Sequence, residues 1–271
     1  MSDRIGSLSG YLEYLQKYRG RTVVFRGVDR DWKMLSGVTR SFCRRLVIAE
    51  EGCPRCGDHD KLTERCRAWF EGGIPPDSKS AIEDYEKTLF DSFTRQARSH
   101  LVLHPTTAWE WLAVAQHYGL PTRLLDWTKN PLAAAYFALS GTPASDVPDV
   151  YVYALQSDGL EQGHRDMISL DAPPKKSPLD YDVDDELGRF IPPVIDPRIA
   201  AQQSVFTVQH PLSRVTLLAG NRIERIQLDA GQQQELRRHL YRLGINAATL
   251  FPDLASLAQN QKWVWEEYRQ S

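Results

Sequence analysis

The chain lacks any apolar run of the roughly 18–20 residues that a helical membrane span requires; its longest buried-looking run, 131–139, is far too short. Its first ten residues, MSDRIGSLSG, have no apolar centre of the secretory type, so the reading is cytoplasmic with no membrane partner. It also lacks a charge excess. Lys and Arg total 33 against 35 Asp and Glu, a net charge of −2, which argues against a broad nucleic-acid footprint. A local contact stays open, because Arg19, Arg21, Arg26, Arg30, Arg40, Arg44 and Arg45 crowd the first fifty residues. Cysteine is absent after Cys66, and in a reducing compartment no disulfide framework is expected. Glycine-rich phosphate loops (GxGxxG, GxxxxGK[ST]) and an HExxH metal pair are missing, which leaves the common nucleotide-loop folds without support and makes a metal hydrolase the weaker reading. There is no internal repeat.

What is present is an ordinary globular composition, 42% apolar and 25% charged over 271 residues. That length suits one large domain or two small ones. Residues 8–18 show helical spacing of Leu8, Leu12 and Leu15. TVVFRG then reads as a strand with Val23 and Phe25 on one face, and Thr22, Val24 and Arg26 on the other. An Arg-rich helical stretch near 40–48 follows, and 79–99 reads as a helix striped by Ile82, Tyr85, Leu89 and Phe93. Thr107-Ala-Trp-Glu110 has the form of a capping box, opening a helix that Gly119 and Pro121 end. Asn130-Pro131 starts another, apolar all round and therefore buried. Strands are expected at 150–155, 204–209, 215–218 and 223–228, and an amphipathic helix at 230–243, capped by Asp229 and stopped by Gly244. The Pro- and Asp-rich stretch 171–193 is expected to be an exposed loop or lid. Strands and helices alternate irregularly, so the fold class is α+β with a mixed or largely antiparallel sheet. The organisation is an N-terminal helix (1–22), a main domain (23–258) with a Cys-containing insert at about 43–73, and a C-terminal helix (259–271).

Chemistry-bearing side chains crowd QHYGLPTRLLDWT, residues 116–128: His117, Tyr118, Thr122, Arg123, Asp126 and Thr128. Apolar helices flank this stretch, so its polar groups must pair with each other, with backbone or with a ligand. Arg26 ends a strand just before Gly27, where backbone can approach a ligand closely. It either clasps a phosphate or carboxylate bidentately or pairs with an acid such as Asp126. Gln202, Thr207 and His210 are candidate pocket residues or caps and edge-strand groups. Cys53-Pro-Arg-Cys56, with Cys43 and Cys66 at equal spacing on either side and His59 nearby, could close a structural Zn²⁺ site; the alternative is a loop with incidental thiols.

FRG at Phe25 to Gly27, QHYGLPTRLLDWTKNPLAAAYFAL at 116–139, RIAAQQSVFT at 198–207 and LGINAATLFPDLASLA at 243–258 together resemble the FRG domain, a bacterial and phage-associated family. Ser204 stands where the family commonly has Gly, and the cysteine insert is outside the family pattern. The layout is similar, more loosely, to ADP-ribosyltransferase-like folds. That similarity implies a nucleotide ligand, with NAD as possible substrate. Arg26 and Gly27 would grip its phosphate, and His117, Tyr118 and Thr122 would position it. Such transferases usually have a late catalytic Glu where this chain has Gln202, leaving Asp126 as the acid, with His117 as the second catalytic candidate. Two expectations follow. One is a nucleotide-handling enzyme, an ADP-ribosyltransferase or NAD glycohydrolase with a role in phage defence or toxicity. The other is a non-catalytic ligand-sensing or protein-interaction module.

Overall fold

The computed structural model describes residues 4–28, 34–51, 78–101, 104–141, 149–156, 176–182, 185, 187–192, 196–213 and 223–269. Strands β1 (Val23–Val28), β2 (Leu125–Thr128), β3 (Asp149–Gln156), β4 (Gly188–Phe190), β5 (Ser204–Val208) and β6 (Ile223–Asp229) build one sheet. Its order is β4-β5-β2-β1-β3-β6, and every neighbouring pair is antiparallel. The fold is α+β, as expected. The expected strand at 215–218 lies outside the described residues.

The register is uneven. β1 pairs with β3 from Val23↔Gln156 to Val28↔Tyr151, and β2 pairs with β5 from Leu125↔Thr207 to Thr128↔Ser204. Between β1 and β2 the register holds one pair, Phe25↔Thr128. The sheet is thus two three-stranded runs, β4-β5-β2 and β1-β3-β6, meeting at a seam.

Strand alternation sorts the core. Phe25, Val152, Ala154, Ile226 and Leu228 face one way, onto Tyr11 and Tyr18, the alanines of α5 (Pro131–Leu139), and Leu236 and Leu240. Val24, Val28, Leu125, Trp127, Tyr153, Leu155 and Val205 face the other. Among the described residues the remaining α-helices are α1 (Leu8–Leu15), α2 (Gly37–Glu51), α3 (Ser78–Ala97), α4 (Ala108–His117), α6 (Pro197–Ala201), α7 (Gln233–Arg242), α8 (Ala247–Leu250) and α9 (Leu254–Trp263). Their ends follow local chemistry. Thr107 Oγ1 accepts from Glu110 N at 3.2 Å, and the Glu110 carboxylate reaches back to Thr106 N at 2.6 Å, one residue beyond the cap itself. Asn130 Oδ1 accepts from Leu132 N at 2.9 Å. Gly119 and Gly244 adopt φ of 85° and 80° after α4 and α7, where a Cβ would be strained.

Two expectations are corrected. The buried stripe of α3 is Ile82, Glu86 and Phe90, rather than a stripe through Tyr85 and Leu89. It turns because Glu86 enters the interior to meet Arg123. In the described part of 171–193, the exposed loop gives way to structure. A 3₁₀ turn at Pro178–Asp180 leads to buried Tyr181, and β4 pairs with β5, burying Leu187, Arg189 and Phe190. Tyr181 and Phe190 both pack against Trp109, with ring centroids at 6.0 and 5.2 Å. Apolar burial against that indole outweighs the polar composition of the flanking sequence.

Candidate functional site

A cavity of about 610 Å³ opens at the seam, bounded by the end of β1, by β2, by the C-terminal end of α5 and by the Gln202 turn. That volume lies within the roughly 300–1,000 Å³ typical of small-molecule sites. Arg26, Gly27, Asp126, Thr128 and Gln202 all line it, joined by Arg40, Ser204, Phe137 and Phe251. An early strand and a mid-chain strand therefore bring Arg26 and Asp126 to one cleft.

Arg26 donates from Nη1 to the Asp126 backbone oxygen at 2.7 Å. The same nitrogen lies 3.5 Å from Asp126 Oδ2. Its side chain is 17% exposed and that of Asp126 is 56% exposed, so the pair borders solvent rather than sitting locked in a sealed interior. A half-open ion pair contributes little to stability, which leaves the guanidinium able to take an anionic ligand at small cost.

Behind Asp126 stands a residue that sequence reasoning did not select, Gln116. Leu124 N donates to Thr122 Oγ1 at 3.2 Å. The Thr122 hydroxyl must therefore send its own proton elsewhere, and it donates to Gln116 Oε1 at 2.5 Å. That fixes the amide, so Gln116 Nε2 faces and donates to Asp126 Oδ2 at 2.9 Å. A buried threonine thus orients a glutamine that orients the carboxylate. The signal was available: Gln116 is the first residue of the dense motif, ten positions before Asp126.

The rim opposite is pinned by Thr128, whose hydroxyl donates to the Gln202 carbonyl at 2.5 Å. Lys129 N donates to Gln203 O at 3.1 Å. Gln203 holds φ of 48°, a left-handed conformation uncommon for a residue with a Cβ. The Gln202 side chain donates from Nε2 to Leu250 O at 3.0 Å, tying the rim to α8.

Gly27 has a structural duty besides lining the cavity. A Cβ there would lie 1.8 Å from the Ala134 carbonyl oxygen, so the residue lets α5 touch the strand backbone.

Other predicted residues do not reach the cavity. Arg123 is buried, clamped by Glu86 through Nε at 2.9 Å and Nη2 at 2.7 Å, and donates to Tyr181 O at 3.2 Å. Thr207 is buried and accepts from Trp127 Nε1 at 2.9 Å. His210 accepts from Leu212 N on Nδ1 at 3.1 Å, so its Nε2–H donates to Glu83 at 2.9 Å. His117, at the end of α4, lies 3.3 Å from Asp196. Burial lowers the pKa of His117; Asp196 opposes this and Arg198 adds to it. Tyr118 is 64% exposed and meets the His117 ring edge-on at 4.9 Å. Cys43 is buried in α2. Cys53, Cys56 and Cys66 lie outside the described residues, as does His59.

The fold and site define an α+β protein with an antiparallel sheet and an Arg–Asp cleft between its halves. More particularly, residues 21–146 of the chain match the model of the FRG domain. That match holds Arg26, Gly27, Gln116, Asp126 and Thr128, whereas Gln202, Ser204 and Phe251 fall beyond it. Neither a curated protein nor a solved structure matches the chain. Among the described residues no helix is long and apolar enough to cross a membrane.

Proposed function

We propose that the protein is a nucleotide-handling enzyme that uses the seam cavity, with NAD as substrate for ADP-ribosyl transfer or hydrolysis. The observation that carries this reading is the joint presence of the Arg26 guanidinium and the Asp126 carboxylate on one cavity of about 610 Å³. Arg26 grips phosphate, as a planar guanidinium does best. The bond that breaks joins the ribosyl anomeric carbon to the nicotinamide nitrogen. Nicotinamide leaves with the electron pair, and the ribosyl cation is captured by water or by an acceptor nucleophile that then loses a proton. Asp126, held by Gln116, supplies a fixed negative charge beside that cation. A charge already oriented needs no reorganisation as the cation forms.

Incubation of the purified chain with NAD should release nicotinamide. Asp126→Asn should lose turnover by about 10²-fold or more while melting unchanged, and Arg26→Ala should weaken NAD binding. Intact NAD under varied conditions, with no modified protein or nucleic acid, ends the enzymatic reading. A role in phage defence or toxicity would rest on that turnover.

A second reading draws on the 56% exposure of Asp126 and its existing partners Gln116 and Arg26. On it the cleft binds a nucleotide or small molecule and signals occupancy without turnover. Saturable binding of NAD with no nicotinamide release selects this alternative.

A further inference from the structure

A second cavity, of about 440 Å³, lies between the C-terminal end of α5, α7 and α9. Its walls are unusually rich in carboxamides: Gln233, Gln234, Asn246, Gln259 and Asn260 all line it. Two of these are buried. Asn260 is 7% exposed, and among the described residues its side-chain amide makes no hydrogen bond. Gln233 is 6% exposed. Its Nε2 donates to Leu139 O at 2.6 Å and to Gly141 O at 2.9 Å. Both amide protons are thereby used and the orientation is fixed, leaving Oε1 as an acceptor with no donor among the described residues.

Neither group is sealed: the Asn260 amide and Gln233 Oε1 stay accessible from the cavity, which is of ligand size, so water or a ligand can complete them there. The wall charges come in both signs, Arg237 and Lys262 against Glu266 and Glu267, so the lining does not select an anion. Flat surfaces complete it. The Arg237 guanidinium lies over the Trp263 ring at 5.0 Å, and Tyr241 meets Trp263 at 5.5 Å.

We propose that this cavity is a binding site for a neutral planar heterocycle of the adenine type, read by Asn260. A carboxamide matches adenine's amino donor and N7 acceptor simultaneously, whereas guanine offers two acceptors at the corresponding edge. The Gln233 oxygen takes a further N–H or a ribose hydroxyl, and the base stacks against the guanidinium and aromatic planes. The site stands independently of the seam cavity. Ser140 and Gly141 border both, but no residue of the Arg26–Asp126 pair is used.

The test is calorimetric titration of the full chain with adenosine, then guanosine, then methyl glucoside. Adenosine should bind saturably, with guanosine at least ten-fold weaker and the sugar not at all. Asn260→Ala should weaken adenosine at least ten-fold, and Asn260→Leu should abolish binding while melting close to wild type, because no side-chain hydrogen bond of the described residues is lost with the amide. Three results overturn the proposal: no saturation by millimolar adenosine, equal binding of guanosine or the sugar, or adenosine affinity unmoved by Asn260→Ala. Loss of folding in Asn260→Leu would also overturn it, by showing that the amide serves the fold. Adenosine binding that persists in Arg26→Ala separates this site from the seam cavity.

Discussion

Arg123 and Glu86, each with a side chain 2% exposed, illustrate how single residues commit this structure. Three hydrogen bonds from Arg123 reach the Glu86 carboxylate, one of them from the backbone. Removing one partner strands a buried charge, at a cost of about 3–5 kcal/mol. Glu86→Ala should therefore lose about that much unfolding free energy in urea, and the joint Glu86→Leu, Arg123→Met replacement should lose less; a loss under ~1 kcal/mol for the single change would refute the pairing's role. Sequence reading set Arg123 in the ligand site because a buried ion pair across 37 positions leaves no local mark. A glutamate on a helix reads as surface until its partner is seen. His210 carries a second residue-scale consequence. Burial lowers its pKa; the hydrogen bond to Glu83 opposes this and Arg123 reinforces it. His117 is lowered by burial too. The unfolded chain takes up these protons near pH 6.5 and the native chain resists them, so the unfolded state binds more protons below that pH. Their contribution is complete above about pH 6.5 and is lost as pH falls through it toward the lowered native values. Unfolding free energy should decline from about pH 6.5 downward, and His210→Gln should flatten part of that slope. An unchanged slope between about pH 7 and 5.5 would show that His210 is not involved.

At the scale of elements, the parts legible in sequence are those whose cause is local. Thr107, Asn130 and Asp229 each cap the helix or turn the spacing placed after them, and Gly119 and Gly244 stop two of them. β4 was illegible for the opposite reason. It has three residues, sits among Pro and Asp, and exists only because β5 and Trp109 meet it from distant sequence. Gly27 shows a motif residue read correctly for the wrong element. It does line the cleft, but the atom nearest a Cβ there is a carbonyl of α5. Backbone cannot yield as a flexible side chain does, so overpacking here is severe. Gly27→Ala should lower thermal stability well beyond the 1–3 kcal/mol of ordinary overpacking, or prevent folding. A variant that melts like wild type and loses only ligand binding would instead make Gly27 a binding residue alone.

At the scale of the whole molecule, the sheet's two halves share one register pair, Phe25↔Thr128. Most of what joins them at the open end is side-chain chemistry, with Arg26 donating across the gap to the Asp126 carbonyl. The candidate cleft and the weakest line of the sheet are therefore the same place. A cavity exists there because backbone pairing stops, and functional groups meet there because one of them substitutes for the missing ladder bonds. The sequence reading brought Arg26 and Asp126 to one site through the family resemblance and the choice between ligand and ion pair, but not through local pattern, since strand neighbours 100 positions apart are set by topology. This predicts a local rather than a global response to loss of the arginine. In Arg26→Met, amide exchange along β2 should quicken about ten-fold, the equivalent of one lost hydrogen bond of roughly 1.4 kcal/mol. The β3–β6 ladder, paired over its whole length from Asp149↔Asp229 to Leu155↔Ile223, should exchange as in wild type. A ligand that bridges the seam should slow β2 exchange in the native chain. If Arg26→Met instead accelerates both halves equally, the sheet opens as one unit and the seam is not a mechanical boundary.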